Sequence, residues 1–541
     1  MSKTKKFVAA LALMFLLALG LVPATPARAE DTSADKPLYL ALGDSITYGY
    51  EPDPDDPTKE EGKQLTDECF VNILASEKGY RVENYGVIGN TATGIMSQLE
   101  TGELDSSIKE AKIVTITCGG NDLMRVIYQK AADLFNDSEN NVKKYGKLTA
   151  DDVVYILWRN DKSTTDASTE LMLVQMCAAA AIVSPVDGEY LEDQEAFTTA
   201  VTEFTENINK VTAYIKNLNP NARIFISTQY NPYQHFKDSY KKIGIRLGAC
   251  AAIFAQSVKD NAEAGGYTAV DVYTAFLNRT AELCNATESP LALDFHPNVA
   301  GHAVIASVFS EVVKPTVEIT AEAKTKVYGE EDPELTATTK YAENVEGFSY
   351  SLSREESEDA GEYDITLDEN DAYFADYTAA KLTITPKSIV PDTDETPDDE
   401  KTGVSAEPLA DVTENGQAQE QVPTITDSKT GKTLTAGADF TLSYEGDTTN
   451  PGTVTVTVTG KGNYQGTFEL TYNILKDTTP KGDGDEDDKG DEGEGTDDKE
   501  KADKQDDSSL PQTGDTASSM MIVVASAGVA AIAAAVLRRT H

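Results

Sequence analysis

Positive charge, histidine and cysteine are all scarce in this chain of 541 residues. It holds 46 lysines and arginines against 91 aspartates and glutamates, a formal charge of -45. A surface poor in cations does not neutralise phosphates, so nucleic acid and anionic membrane are excluded as partners. The five cysteines (Cys69, Cys118, Cys177, Cys250 and Cys284) are odd in number and lack the spacing of a metal site. Cys250 and Cys284 flank late elements of one domain and could pair, whereas Cys118 ends an apolar run and reads as a buried thiol. The four histidines are His235, His296, His302 and His541, so few residues are available as a neutral base. Nothing in this inventory asks for a metal or an organic cofactor.

The two ends carry their own signals. Lys3, Lys5 and Lys6 precede an apolar stretch from Phe7 to Val22, and Ala27-Arg28-Ala29 follows. That order of charge, apolar core and small-residue cut site predicts a secretory signal peptide over 1–29. At the other end Leu510-Pro511-Gln512-Thr513-Gly514 precedes an apolar run, Met520 to Leu537, and then Arg538-Arg539. The run is long enough to span a bilayer, and the arginines would stay on the cytoplasmic side. Pentapeptide, span and basic tail over 510–541 resemble the LPxTG sorting signal of Gram-positive surface proteins. The resemblance implies cleavage by a sortase between Thr513 and Gly514, and attachment to peptidoglycan as a monomer on the wall.

A chain of this length predicts about three or four domains. Residues 37–315 alternate strand and helix patterns. Tyr39–Leu42, Arg81–Tyr85, Lys112–Thr117, Arg223–Thr228 and Thr268–Val272 read as strands. Lys63–Lys78, Asp193–Leu218, Tyr240–Ala264 (capped by Asp238 or Ser239) and Ala300–Val313 read as helices. Such alternation predicts a three-layer α/β sandwich around a parallel sheet, flavodoxin-like in kind. Between Met124 and Glu192 lies a helical insertion (124–192) longer than a crossover needs, holding the sole tryptophan, Trp158. It is either a cap over a site or an extra packing layer. Residues 316–386 turn to strand alternation, from "KVYG" to "LTITPK", and resemble bacterial Ig-like repeats. A Pro/Asp-rich linker is read over 387–401, and a second Ig-like module with a "GKGNYQG" hairpin over 402–475. Residues 476–509 hold fifteen acidic and six basic side chains and almost nothing apolar, which predicts a solvated, disordered stalk.

Ser45 stands in "ALGDSITYGY", just past the first strand, where open α/β sheets bind ligands. A serine hydroxyl needs a base to act as a nucleophile. His296, in "LALDFHPNVAGH" before the last helix, falls at the same sheet edge. Donors for a developing oxyanion are offered by a glycine turn at Gly89 and an amide at Asn121, each after a strand. The bland alternatives are helix caps at Ser45 and at Asn121, a job Asp122 could do equally well. Asp44 reads as a structural link between loops, His302 as a packing residue rather than a second base, and His235 as a surface residue rather than one lining the cleft.

"GDSIT", "GVIGNT", "GGND" and "DFHPNVAGH", in this order over 37–315, resemble the SGNH (GDSL-type) hydrolase superfamily. "ITCGGNDLM" and "ISTQYNPY" are most similar to its lysophospholipase-like esterases. There is no Gly-x-Ser-x-Gly elbow, so the α/β-hydrolase family is not indicated. The resemblance implies a carboxylic ester hydrolase with Ser45 as nucleophile and His296 as base. It also implies oxyanion donors at the Ser45 and Gly89 N–H groups and the Asn121 amide. The substrate would be an acyl lipid, lysophospholipid or O-acetyl glycan. The family often sets the third triad member three residues before the histidine. Here that position is Leu293, and Asp294 stands two before. Either Asp294 orients His296, or a backbone carbonyl does so and leaves a Ser–His dyad. The rival reading is a surface adhesin whose Ig-like modules carry the main role; a glycan array on those modules separates the two.

Overall fold

Ser45 follows a strand whose six residues are all buried, β1 (Leu38–Gly43). A strand buried on both faces has to be central in a covered sheet. In the computed structural model, which describes residues 36–52, 63–159, 163–286, 294–368 and 370–479, that is where it lies. It pairs in parallel with β2 (Arg81–Gly86) on one side and β3 (Ile113–Thr117) on the other. β4 (Arg223–Ser227) and β5 (Thr268–Val270) extend the sheet in parallel, giving the order β2-β1-β3-β4-β5. This is the flavodoxin-like order, whose ligand crevice opens between β1 and β3 at their C-terminal ends.

Helices cover the sheet. α1 (Ser45–Tyr48) is a single turn leaving β1. α2 (Phe70–Lys78) packs on the last described α-helix, Val299–Val312, and Ala92–Glu100 packs on Glu195–Leu218. The helix expected from Lys63 starts only at Phe70. Leu65 donates its N–H to the Gly49 carbonyl at 2.7 Å, and Lys63–Gln64 pairs with Tyr50–Glu51, so tertiary pairing overrides the helical pattern. The helix read over Tyr240–Ala264 runs over Lys241–Asp260 and has no side-chain cap; Asp238 and Ser239 lie in a preceding 3-10 turn. The insertion folds as three main helices. Gly120–Asn136 packs against both Ala150–Arg159 and Thr165–Val183, burying Ile127, Phe135, Val153 and Val174 in the same core as the sheet.

The expected Cys250–Cys284 pair is corrected: all five cysteines are free. Cys250 is buried on the inner face of its helix, while Cys284 bridges to Pro297 in the segment that leads to the last helix. Cys118 is fully buried, as read from its apolar run.

The α/β layers and most of residues 316–383 form one compact unit. In its β part Thr316–Ala321 sits between Ala337–Lys340 and Phe374–Thr378. This part is fastened to the N-terminal ends of the parallel strands, the edge opposite Ser45. Lys112 reaches Glu318 at 2.7 Å and Asp376 at 2.8 Å, and Arg223 reaches Asp376 at 2.9 Å. Tyr80 shares a 2.7 Å hydrogen bond with Thr316.

The described part of the second unit is all β. Gly452–Gly460 lies between Phe440–Glu445 and Thr467–Leu475 in antiparallel register. Its alternation places Val454, Val456 and Val458 inside and threonines outside. The stretch read as linker from 387 begins inside this unit. Lys387–Ser388 pairs with Tyr464–Gln465, and Ile389 is fully buried. The buried Lys387 ammonium takes both oxygens of buried Asp427 at 2.7 Å, so this lysine is paired rather than solvated. The segments read as a signal peptide (1–29) and as an acidic stalk, together with Thr513, Gly514 and His541, lie outside the described residues, apart from 476–479.

Candidate active site

The turn after β1 is built by close approach. Gly43 has φ +146°, and a Cβ there would meet the Thr117 carbonyl oxygen at 2.5 Å. Only glycine lets β1 and β3 converge here. Asp44 then closes the junction: its Oδ1 accepts from the Ile46 N–H at 3.0 Å and from the Thr117 hydroxyl at 2.7 Å. Burial pushes the Asp44 carboxyl up, while the Thr117 and Ile46 bonds and nearby His296 act the other way. Asp44 is therefore a buried structural link, as the sequence suggested, and it sets Ser45 as the first residue of α1.

His296 arrives from the far end of the domain. Its Nε2 lies 2.8 Å from Ser45 Oγ, across 251 residues of sequence. Its Nδ1 lies 2.6 Å from Asp294 Oδ1, which also accepts the His296 backbone N–H at 3.0 Å. The loop is held from several sides. The Tyr230 hydroxyl donates to the Phe295 carbonyl at 2.9 Å, the Asn285 N–H to the His296 carbonyl at 2.9 Å, and Asn298 caps the following helix. Ser45 and His296 are both nearly fully buried, at 2% and 1% exposure. A hydroxyl, an imidazole and a carboxylate in line can pass a proton from the hydroxyl to Nε2 and stabilise the resulting cation.

Two further loops meet this point. Gly89 has φ +78° with open space where a Cβ would project. Val87 N–H bonds the Gly43 carbonyl at 3.0 Å, which holds the Gly89 turn beside Ser45. Asn121, on the first turn after β3, donates from Nδ2 to the Asn90 carbonyl at 2.8 Å, leaving its second N–H for another acceptor. Asp122 ties the two loops together, accepting from Gly119 N–H at 3.1 Å and Ala92 N–H at 3.2 Å. Burial, against these donors, moves its carboxyl up to about 6. The helix cap is Gly119, so Asn121 is not needed for capping.

Several residues at the site escaped the sequence. Tyr50, Phe295 and Trp158 crowd the His296 ring, at centroid distances of 4.3, 4.6 and 6.0 Å. Trp158 comes from the insertion, which is thus both a packing layer and a contributor to the site. Its being the only tryptophan was the sole hint. His235 is half-buried rather than exposed, its Nδ1 3.2 Å from the Thr280 hydroxyl.

His302 is a core residue. Its ring stacks on Phe70, and its Nδ1 faces the Phe70 N–H at 3.4 Å. Burial, with His296 nearby, lowers its pKa to about 3. The native state thus holds it neutral, whereas the unfolded chain protonates it near pH 6.5. Its contribution is intact above that pH and is lost as pH falls below it. Between pH 8 and pH 5 this one group costs about 2 kcal/mol of stability. His302→Gln keeps an acceptor for Phe70 and cannot titrate. Urea unfolding at the two pH values should show the variant gaining by about that amount, relative to the parent, on acidification. An equal pH dependence in both proteins would contradict the assignment.

Residues 41–304 match the GDSL-like Lipase/Acylhydrolase family, and residues 317–383 match the MBG domain (YGX type). The chain carries a GDSL-type hydrolase domain, followed by an MBG domain and further β structure. Among relatives, YpmR of Bacillus subtilis (strain 168) is 22% identical over 290 residues, 53% of this chain and 86% of that protein. Among solved structures, the extracellular lipase of Streptomyces rimosus is 16% identical, covering 51% of this chain and 100% of its own, with a TM-score of 0.31. The acetylxylan esterase Axe2 of Geobacillus stearothermophilus is 18% identical, covering 51% and 93%, with a TM-score of 0.28.

Proposed function

We propose that the chain is a secreted, wall-anchored serine esterase that cleaves carboxylic esters through an acyl-enzyme. The observation that carries this reading is the hydrogen-bonded series Ser45–His296–Asp294 at 2.8 and 2.6 Å. His296 takes the Ser45 proton as Oγ attacks the ester carbonyl. The Ser45 and Gly89 N–H groups and the Asn121 amide hold the oxyanion. The alcohol leaves with the proton from Nε2, and a water activated by His296 then releases the acid. Among the described residues, neither the Ser45 nor the Gly89 N–H has a hydrogen-bond partner, which suits donors kept for a transition state. Export and anchoring rest on the 1–29 and 510–541 segments of the sequence. The MBG and following β modules would serve as spacers above the wall.

Hydrolysis of p-nitrophenyl esters from acetate to palmitate tests the reading, and the chain-length profile separates a deacetylase from a lipase. Within it, Asn121→Ala should lower kcat by about 10²–10³, the cost of one lost oxyanion donor. A loss under about threefold on a good ester substrate would remove Asn121 from the oxyanion site, being far below that cost.

A further inference from the structure

The aromatic group around His296 has a side, and the chemistry names it. When the acyl-enzyme forms, the Ser45 Oγ–carbon bond is made and the ester carbon–alkoxy bond breaks. The proton moves from Oγ to Nε2 and on to the departing oxygen. The alcohol therefore sits beside the imidazole, not beside the oxyanion donors. Tyr50, Phe295 and Trp158 are the rings packed around that imidazole. The indole meets Tyr50 at 5.9 Å and 74°, and Phe295 at 6.4 Å and 82°. Tyr50 is buried, at 7% exposure, while Trp158 and Phe295 are half-buried, so their rings form the outer part of the wall.

An acidic group lies beside these rings. Burial first, and then the Asp294 carboxylate among the described residues, raises the Tyr50 phenol. A phosphate-bearing alcohol would meet that acid, on a chain with a large excess of acid. Flat rings with polar edges instead suit a neutral alcohol that shows an apolar C–H face and hydroxyls around it.

We propose that Trp158, Tyr50 and Phe295 form the alcohol-side subsite and that it takes a sugar ring, so that the ester cleaved is an acyl group on a glycan. The proposal rests on the esterase reading and narrows it. Trp158 is the specificity-determining residue, supplied by the insertion. As the only tryptophan, it also reports on its own occupancy.

The test uses the full chain. Trp158 emission is titrated with methyl glucopyranoside, which lacks an acyl group, and with glycerophosphocholine. A saturable change with the glycoside alone is expected. Kinetics then compare an acetylated methyl glucopyranoside with ethyl acetate. Trp158→Ala should raise KM for the sugar ester about tenfold more than it raises KM for ethyl acetate, the worth of one good aromatic contact. Trp158→Phe should restore most of the loss. Emission changes with glycerophosphocholine, or equal effects of Trp158→Ala on both esters, would overturn the subsite. If the alanine variant does not fold, the phenylalanine variant and the parent's emission decide. Ser45-dependent ester cleavage without any glycoside response would defeat the subsite and leave the esterase standing. Glycoside binding without turnover of any ester would defeat the esterase and leave a sugar-binding site.

Discussion

Replacing Ser45 with alanine should lower kcat on a p-nitrophenyl ester by about 10⁴-fold or more, the usual cost of deleting the nucleophile of a Ser–His pair. The size follows from the geometry. Oγ is 2.8 Å from His296 Nε2, nearly excluded from water, and fixed at the first turn of α1 by the Asp44 and Gly43 contacts. No other hydroxyl in the described residues is hydrogen-bonded to His296. His296→Ala should cost about as much, and the double variant little more than either single one. Groups that act as one unit do not add. Additive losses would mean that the two residues serve separate steps. Retention of more than about a tenth of the activity by Ser45→Ala would place the nucleophile elsewhere, since residual catalysis by binding and oxyanion donors alone is far weaker. Thermal unfolding of each variant guards against a folding defect.

Much of this site was legible in order along the chain because each part sits at a strand end. A buried strand followed by Gly43-Asp44-Ser45 carries its own local chemistry, and so do the turns at Gly89 and Asn121. The sheet was equally legible, since β1 is an apolar run and β3 a β-branched one. What failed depended on distant packing. The segment 63–69 has a helical pattern, yet a backbone bond from Leu65 to Gly49 draws it into an extended pair beside the site. The 387–401 stretch has linker composition, yet Lys387 and Ile389 are sealed into the second unit by partners far along the chain. Trp158 could not be placed because its helix reaches His296 only through the folded insertion, and no periodicity encodes that meeting. The Cys250–Cys284 guess failed for the same reason: nearness to late elements says nothing about side-chain direction.

Asp294 was where the sequence left two answers, and its variants should separate them. Asp294→Ala is expected to lower kcat by about 10⁴-fold, comparable with removing the carboxylate of other Ser–His–Asp sites. The carboxylate clamps His296 twice through one oxygen, taking the backbone N–H at 3.0 Å and Nδ1 at 2.6 Å. The first bond sets the loop and the second sets the tautomer, so that Nε2 is free to accept from Ser45. Its other oxygen, Oδ2, is buried with no hydrogen-bond partner among the described residues, so none of these competes for its charge. That charge is therefore available to the imidazolium formed during attack. Asp294→Asn should recover part of the loss. The His296 backbone N–H selects the amide oxygen, which keeps an acceptor facing Nδ1 but without the negative charge. The order parent, Asn, Ala in kcat, with KM nearly constant, is the signature of a group that acts in the transition state. A loss under about tenfold for Asp294→Ala would instead describe a dyad, with the imidazole held well enough by the Tyr230 and Asn285 contacts to its loop.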